Sequence, residues 1–217
     1  MDTGTGIVGL WGRISPANLC ETYARSFLEF VMIIEMTPIA DLSVIIPKRF
    51  GDHRGFFAES WNRKTLVENG VILPEFVQDN HSLSGTVGTV RGLHFQLPPH
   101  AQGKLVRCGR GAIFDVAVDV RKGSASYGQS FGVELSFENG KQLWVPAGFL
   151  HGFMTLQADS EIVYKCTDHY APDCDCAVKW DSAGVAWPIE GVTPVISQKD
   201  ESAQSFSDFD SPFVFGG

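Results

Sequence analysis

Histidine, lysine and tyrosine recur in this chain at positions that could carry acid–base chemistry. The stretch Arg91-Gly92-Leu93-His94-Phe95-Gln96 is followed by Gln102-Gly103-Lys104-Leu105 and, much later, by Val163-Tyr164-Lys165. Together these supply a candidate base, a fixed cation and a candidate acid on segments that read as strands. Such a set can remove a proton from a carbon beside a carbonyl, hold the resulting enolate against the cation, and return a proton from the other side.

Positioning those groups falls to a β-rich scaffold. From Ile39 onward, short alternating runs are punctuated by turn residues, and the chain has 23 Gly and 16 Phe. Strands are expected at Leu42 to Ile46, Phe56 to Trp61, Phe76 to Asn80, Val90 to Leu97, Lys104 to Cys108, Ala112 to Arg121, Val133 to Phe137, Gln142 to Val145, His151 to Leu156 and Ile162 to Cys166. One helical turn is expected over Arg63 to Asn69, stopped by Gly70. Gly109-Arg110-Gly111 reads as a hairpin, and so does Glu138-Asn139-Gly140-Lys141 with its Asn-Gly pair. About ten short antiparallel strands predict an all-β, cupin-type jelly roll, a double-sheet fold that shelters a ligand between its sheets.

Period-two alternation then sorts the faces. Gly92, His94 and Gln96 share one side of their strand, and Arg91, Leu93 and Phe95 the other. Ile162, Tyr164 and Cys166 share a face. Asp115 and Asp119 lie opposite the apolar even positions of Phe114 to Val120 and are read as strand-edge polar groups. A buried histidine or tyrosine taken alone is more often a hydrogen-bonded core group than a catalyst. The functional reading gains from a cluster of Arg54, Arg91, Lys104 and Lys199 in a chain with a formal charge of −8.

That charge, with a pI near 5.2, argues against broad nucleic-acid binding. No run approaches the ~20 apolar residues of a membrane span, and the N-terminus lacks a signal-peptide pattern. The five cysteines include no zinc-type pair and read as reduced thiols in a cytoplasmic protein. The segment Pro146 to His151 matches the second metal-binding motif of cupins. Its expected counterpart around His94 lacks further ligands, so a metal-free barrel is expected. The first 31 residues read as an upstream extension before a natural start at Met32. Residues 32–201 form the expected domain, and no structure is expected for the last dozen residues of the polar tail that follows.

The chain resembles the dTDP-4-dehydrorhamnose 3,5-epimerase family from about Thr37 to Asp200. The resemblance is carried by Phe50 to Ser60 (FGDHRGFFAES), Val77 to Ser82 (VQDNHS), Arg91 to Gln96, Gln102 to Cys108 (QGKLVRC), Phe114 to Asp119 (FDVAVD) and Leu143 to Phe149 (LWVPAGF). It implies a homodimeric enzyme without a cofactor, acting on a dTDP-4-keto-6-deoxyhexose in L-rhamnose formation. His94 would be the base, Tyr164 the acid, Asp200 the carboxylate paired with His94, and Lys104 the cation. Arg54, Glu59, Gln78, Asp79, Asn80, Arg91, His151, Asp175 and Lys199 fall on substrate-binding positions. Asp175 stands where Glu is more usual, and His53 where an acid is more usual.

Alternation turns Arg91 away from His94, so its binding role would need local twist or a partner surface. Tyr170 is a weak candidate for stacking on the base. A single-centre epimerase would use the same catalytic pair. A metal-dependent cupin oxygenase and a non-catalytic sugar-nucleotide binding module are the alternatives from other classes.

Overall fold

The computed structural model describes residues 32–216; the expectation for the first 31 residues lies outside them. Alternating β-branched and aromatic runs form thirteen strands: β1 (Met32–Met36), β2 (Ser43–Pro47), β3 (Phe50–Asp52), β4 (Gly55–Phe57), β5 (Gln78–Ser84), β6 (Val90–Gln96), β7 (Lys104–Arg110), β8 (Ala112–Asp119), β9 (Ser130–Ser136), β10 (Gln142–Val145), β11 (Phe149–Thr155), β12 (Ser160–Cys166) and β13 (Asp175–Ala177). Two short α-helices interrupt them, α1 (Arg63–Glu68) and α2 (Gln198–Glu201). Asn62 caps α1 by accepting from the Thr65 N–H.

Ten of the strands and β13 build two open antiparallel sheets, ordered β1-β2-β10-β7-β12-β5 and β13-β6-β11-β8-β9. This is the expected jelly roll. Strands β3 and β4 form a small separate hairpin, much shorter than the strand predicted over Phe56 to Trp61.

Neither expected hairpin is a ladder. Strand β7 pairs with β10 and β12, while β8 pairs with β11 and β9, so the chain crosses between sheets at Gly111, whose φ is +74°. After β9 it crosses back. There the Asn139 side chain accepts from the Ser136 and Lys141 N–H groups, which makes a tight turn without joining two strands of one sheet.

Both sheets are covered outside as well as inside. Val106, Ile113, Leu143, Phe153 and Ile162 fill the space between them. The outer face of the second sheet carries Val116, Val118, Leu150 and Met154 beneath Trp187 and Phe209. Ile45, Leu105 and Trp144 on the outside of the first sheet lie under Leu66 and Leu73. Strand β11 is therefore buried along its whole length, and β8 almost so.

The last residues also dock, contrary to expectation. The Lys122 N–H donates to the Phe213 carbonyl, the Ser211 hydroxyl donates to the Val120 carbonyl, and Phe209 packs edge-on against Phe95 at 5.3 Å. Phe215 lies 4.8 Å from the Arg121 guanidinium, which also rests 4.5 Å from the Phe149 ring. Aromatic residues in a polar tail thus mark contacts rather than a free end.

Candidate active site

A cavity of about 390 Å³ opens between the sheets, and both walls contribute to it. From the first sheet come Gln78 and Asn80 (β5), Lys104 (β7) and Tyr164 (β12). From the second come His94 and Gln96 (β6) and Asp175 (β13), with Lys199 from α2. Antiparallel register explains the first group: Tyr164 stands opposite Asn80, and Cys166 opposite both Gln78 and Lys104, so these side chains share the inner face.

His94 and Tyr164 face each other from different sheets. The Nε2 of His94 lies 2.6 Å from Oδ1 of Asp200, which is almost fully buried on α2. Burial pushes the Asp200 carboxyl up, but hydrogen bonds from His94, the Gly92 N–H and Ser197 outweigh it and leave it below the usual carboxylate range. Asp200 is therefore the acceptor and Nε2 the donor, which leaves Nδ1 as the unprotonated nitrogen of a neutral ring. The Tyr164 hydroxyl has no hydrogen-bond partner among the described residues. Burial and the nearby Cys166 and Asp175 raise its pKa, while Arg91 opposes them. It stays a proton donor.

Lys104 has no ion-pair or hydrogen-bond partner among the described residues. Burial lowers its pKa, and the nearby Cys166, Asp175 and Asp115 counteract that in part. At the mouth, the Lys199 ammonium donates to Asp175 at 2.6 Å, and Tyr170 donates to the same oxygen at 3.1 Å. Asp175, despite its shorter side chain, reaches Lys199.

Three residues of the cavity, Phe95, Gln96 and Gln102, escaped the sequence reading. Gln96 is buried and accepts from the Ala171 N–H while donating to the His100 and His169 carbonyls, which holds the mouth loop to β6. Gln102, just before β7, donates to the Asp168 carbonyl. Alternation had placed Gln96 on the face of His94, and that was the signal available.

Arg91 corrects the alternation argument. Across β11, Phe153 stands opposite Arg91 and His151 opposite His94, so two steps on β11 match three on β6. This bulge puts Arg91 and His94 on the same inner face. Glycine at both contact points makes it feasible: a Cβ on Gly92 would lie 2.6 Å from Gly152 Cα, and one on Gly152 would lie 2.9 Å from the Arg91 carbonyl. From there Arg91 reaches across to β5, donating to Ser84 Oγ at 3.1 Å and the Leu83 carbonyl at 3.3 Å.

Asp115 and Asp119 are corrected too. Both are fully buried on β8, a strand with neighbours on each side. Asp119 binds Arg121, Ser124 and Ser126, whereas Asp115 binds Nε2 of His151 at 3.0 Å.

The remaining candidates lie outside the cavity lining. His151 is buried against Asp115, beside His94. Asp79 points to the opposite face and pairs with Lys165 at 2.9 Å. Arg54 sits exposed on the β3–β4 hairpin, paired with Asp52, and Glu59 accepts from Asn62. Among the described residues no group of three or more His, Cys, Asp or Glu is placed to hold a metal. No helix of the described residues is long and apolar enough to cross a membrane.

The sequence profile described as dTDP-4-dehydrorhamnose 3,5-epimerase matches residues 36–208. The chain belongs to the dTDP-4-dehydrorhamnose 3,5-epimerase family. It is 52% identical over 190 residues to the dTDP-4-dehydrorhamnose 3,5-epimerase of Sinorhizobium fredii, covering 85% of this chain and 94% of that protein. The Legionella pneumophila dTDP-6-deoxy-D-glucose-3,5-epimerase, solved with dTDP-4-keto-L-rhamnose, is 44% identical with a TM-score of 0.78, covering 82% and 95%. A 3'-monoepimerase from Streptomyces bikiniensis, solved with dTDP-quinovose, is 32% identical with a TM-score of 0.72, covering 79% and 86%.

Proposed function

We propose that this cavity epimerises dTDP-4-dehydro-6-deoxy-D-glucose at C3 and C5 to give dTDP-4-dehydro-L-rhamnose. The observation that carries the reading is the opposition of His94 and Tyr164 across the cavity. The ketone at C4 acidifies the hydrogens on C3 and C5. Nδ1 of His94 takes one of them, and Asp200 favours the imidazolium that results. Negative charge then collects on the C4 oxygen, where the Lys104 ammonium stabilises it. Tyr164 returns a proton from the opposite wall, which inverts the carbon; the imidazolium then gives its proton to solvent and the phenolate regains one, and the same steps follow at the second centre.

Cations suit the diphosphate: Lys199 at the mouth and Arg91, exposed on β6 outside the cavity lining, can offset its charge. Gln78, Asn80 and Asp175 offer polar contacts to the sugar and nucleotide. Within one chain Arg54, Glu59 and Asp79 do not line the cavity. In the homodimer we propose, they reach substrate only from a second copy. The reaction needs no cofactor, and the enzyme belongs to the cytoplasm, where nucleotide sugars are made.

The test is deuterium uptake from heavy water into dTDP-4-keto-6-deoxyglucose, counted by mass spectrometry and located by NMR. Label at both C3 and C5 with inversion at both is the expected result. Label at one centre only would reassign the enzyme as a single-centre epimerase. His94→Asn is expected to abolish turnover while leaving binding largely intact, and surviving turnover would remove His94 as the base.

A further inference from the structure

Asp115 is a buried carboxylate that the proton-transfer scheme leaves unused. Its Oδ1 is tied to His151, but its Oδ2 is out of reach of solvent and has no partner among the described residues. Leaving such an acceptor unmet in the interior costs ~1–3 kcal/mol. The carboxylate faces inward: odd positions of β8 such as Ile113 and Ala117 belong to the core between the sheets.

Lys104 enters the same interior from the opposing sheet, and it too lacks a partner. Of the charges acting on it, Asp175 is already engaged by Lys199 and Tyr170, and Cys166 is a thiol that accepts weakly from Asn80. The other groups facing this space cannot serve. His94 is bound to Asp200, His151 to Asp115, Tyr164 is a donor, and Arg91 and Lys199 are cations. Asp115 is the one carboxylate acting on Lys104 whose free oxygen is also shut off from solvent; Asp175 keeps Oδ1 unpaired but is partly exposed.

We propose that Asp115 is a positioning residue for Lys104: anchored by His151, it offers its free oxygen to the ammonium and keeps that cation charged and aimed at the forming enolate. The inference rests on the reading of Lys104 as the enolate-stabilising cation. Because burial drives the Lys104 proton off and Asp115 opposes this, removing the carboxylate shifts loss of the ammonium to lower pH.

The experiment is the pH profile of kcat/KM for the full chain and Asp115→Asn, with Lys104→Met as control. The expected result is an alkaline limb moved down by about one pH unit in Asp115→Asn, with kcat at pH 8 reduced and KM little altered. A lower rate at every pH with the limb unmoved is what a merely structural role would give, and it overturns the proposal. Wild-type turnover in Lys104→Met would overturn the reading of Lys104 itself; an inactive Lys104→Met beside an unmoved limb overturns this inference alone. Should Asp115→Asn fail to fold, a crystal structure of the wild-type chain with dTDP bound decides. Lys104 Nζ within hydrogen-bond distance of Asp115 Oδ2, directly or through one ordered water, supports the proposal, and Oδ2 satisfied by any other donor refutes it.

Discussion

Asp200 holds His94 by one ring nitrogen, at 2.6 Å, from a helix of only four residues. The Ser197 hydroxyl caps that helix by accepting the Asp200 N–H, so the carboxylate is fixed at both main chain and side chain. Its role is to keep the proton on Nε2 and the lone pair on Nδ1. Asp200→Asn keeps the shape but can present its amide N–H to the ring and select the other tautomer. Turnover is expected to fall ~10²–10⁴-fold, with dTDP binding near wild type by calorimetry. Loss of binding in step with turnover would instead point to a collapsed wall.

Tyr164 acts after the carbon has already lost its proton. In Tyr164→Phe, His94 still removes the hydrogen, exchanges it with solvent as the imidazolium, and can only deliver the deuteron to the face the hydrogen left. Deuterium should therefore enter C3 or C5 without inversion, while L-configured product falls ~10²–10⁴-fold. Complete loss of exchange in a folded variant would mean that Tyr164 is needed for proton removal itself.

The bulge that aligns Arg91 with His94 depends on Gly152. A methyl group there would press on the Arg91 carbonyl at 2.9 Å and on Gly92 Cα at 3.1 Å. Gly152→Ala is expected to lose about 1–3 kcal/mol of stability, read by urea unfolding, and to raise KM because Arg91 is displaced. An unchanged KM would remove Arg91 from the binding set.

Local chemistry was legible in the chain, and pairing was not. Alternation put His94 with Gln96 and Tyr164 with Cys166 because each pair lies on an unbroken stretch of one strand. It failed for Arg91 because the bulge needs a second glycine, Gly152, sixty residues away. Asn139-Gly140 and Gly109 to Gly111 announced turns correctly, but the sheet that receives the next strand depends on long-range pairing. Asp115 and Asp119 looked like edge residues for the same reason: whether β8 is central is decided by β9 and β11. Asp200 lies in a polar tail without periodicity, and only the family resemblance pointed to it.

Asp119 supplies the clearest pH dependence of stability. Burial raises its pKa, but hydrogen bonds from Arg121, Ser124 and Ser126 outweigh that and bring it to about 2, from an unperturbed 3.8. A depressed carboxylate stabilises the fold above its unfolded pKa, and the contribution is lost as pH falls through the folded value. The window is thus roughly pH 4 down to pH 2, and the shift corresponds to about 2 kcal/mol. Asp119→Asn leaves the buried Arg121 with only Asp41 as a charged partner, at 2.7 Å. The variant should be less stable than wild type by about 3–5 kcal/mol at pH 6. Urea unfolding from pH 6 to pH 2 should show that gap narrowing by about 2 kcal/mol as the wild-type carboxylate takes up its proton. A gap constant with pH would mean that Asp119 contributes through packing and neutral hydrogen bonds, not through its charge.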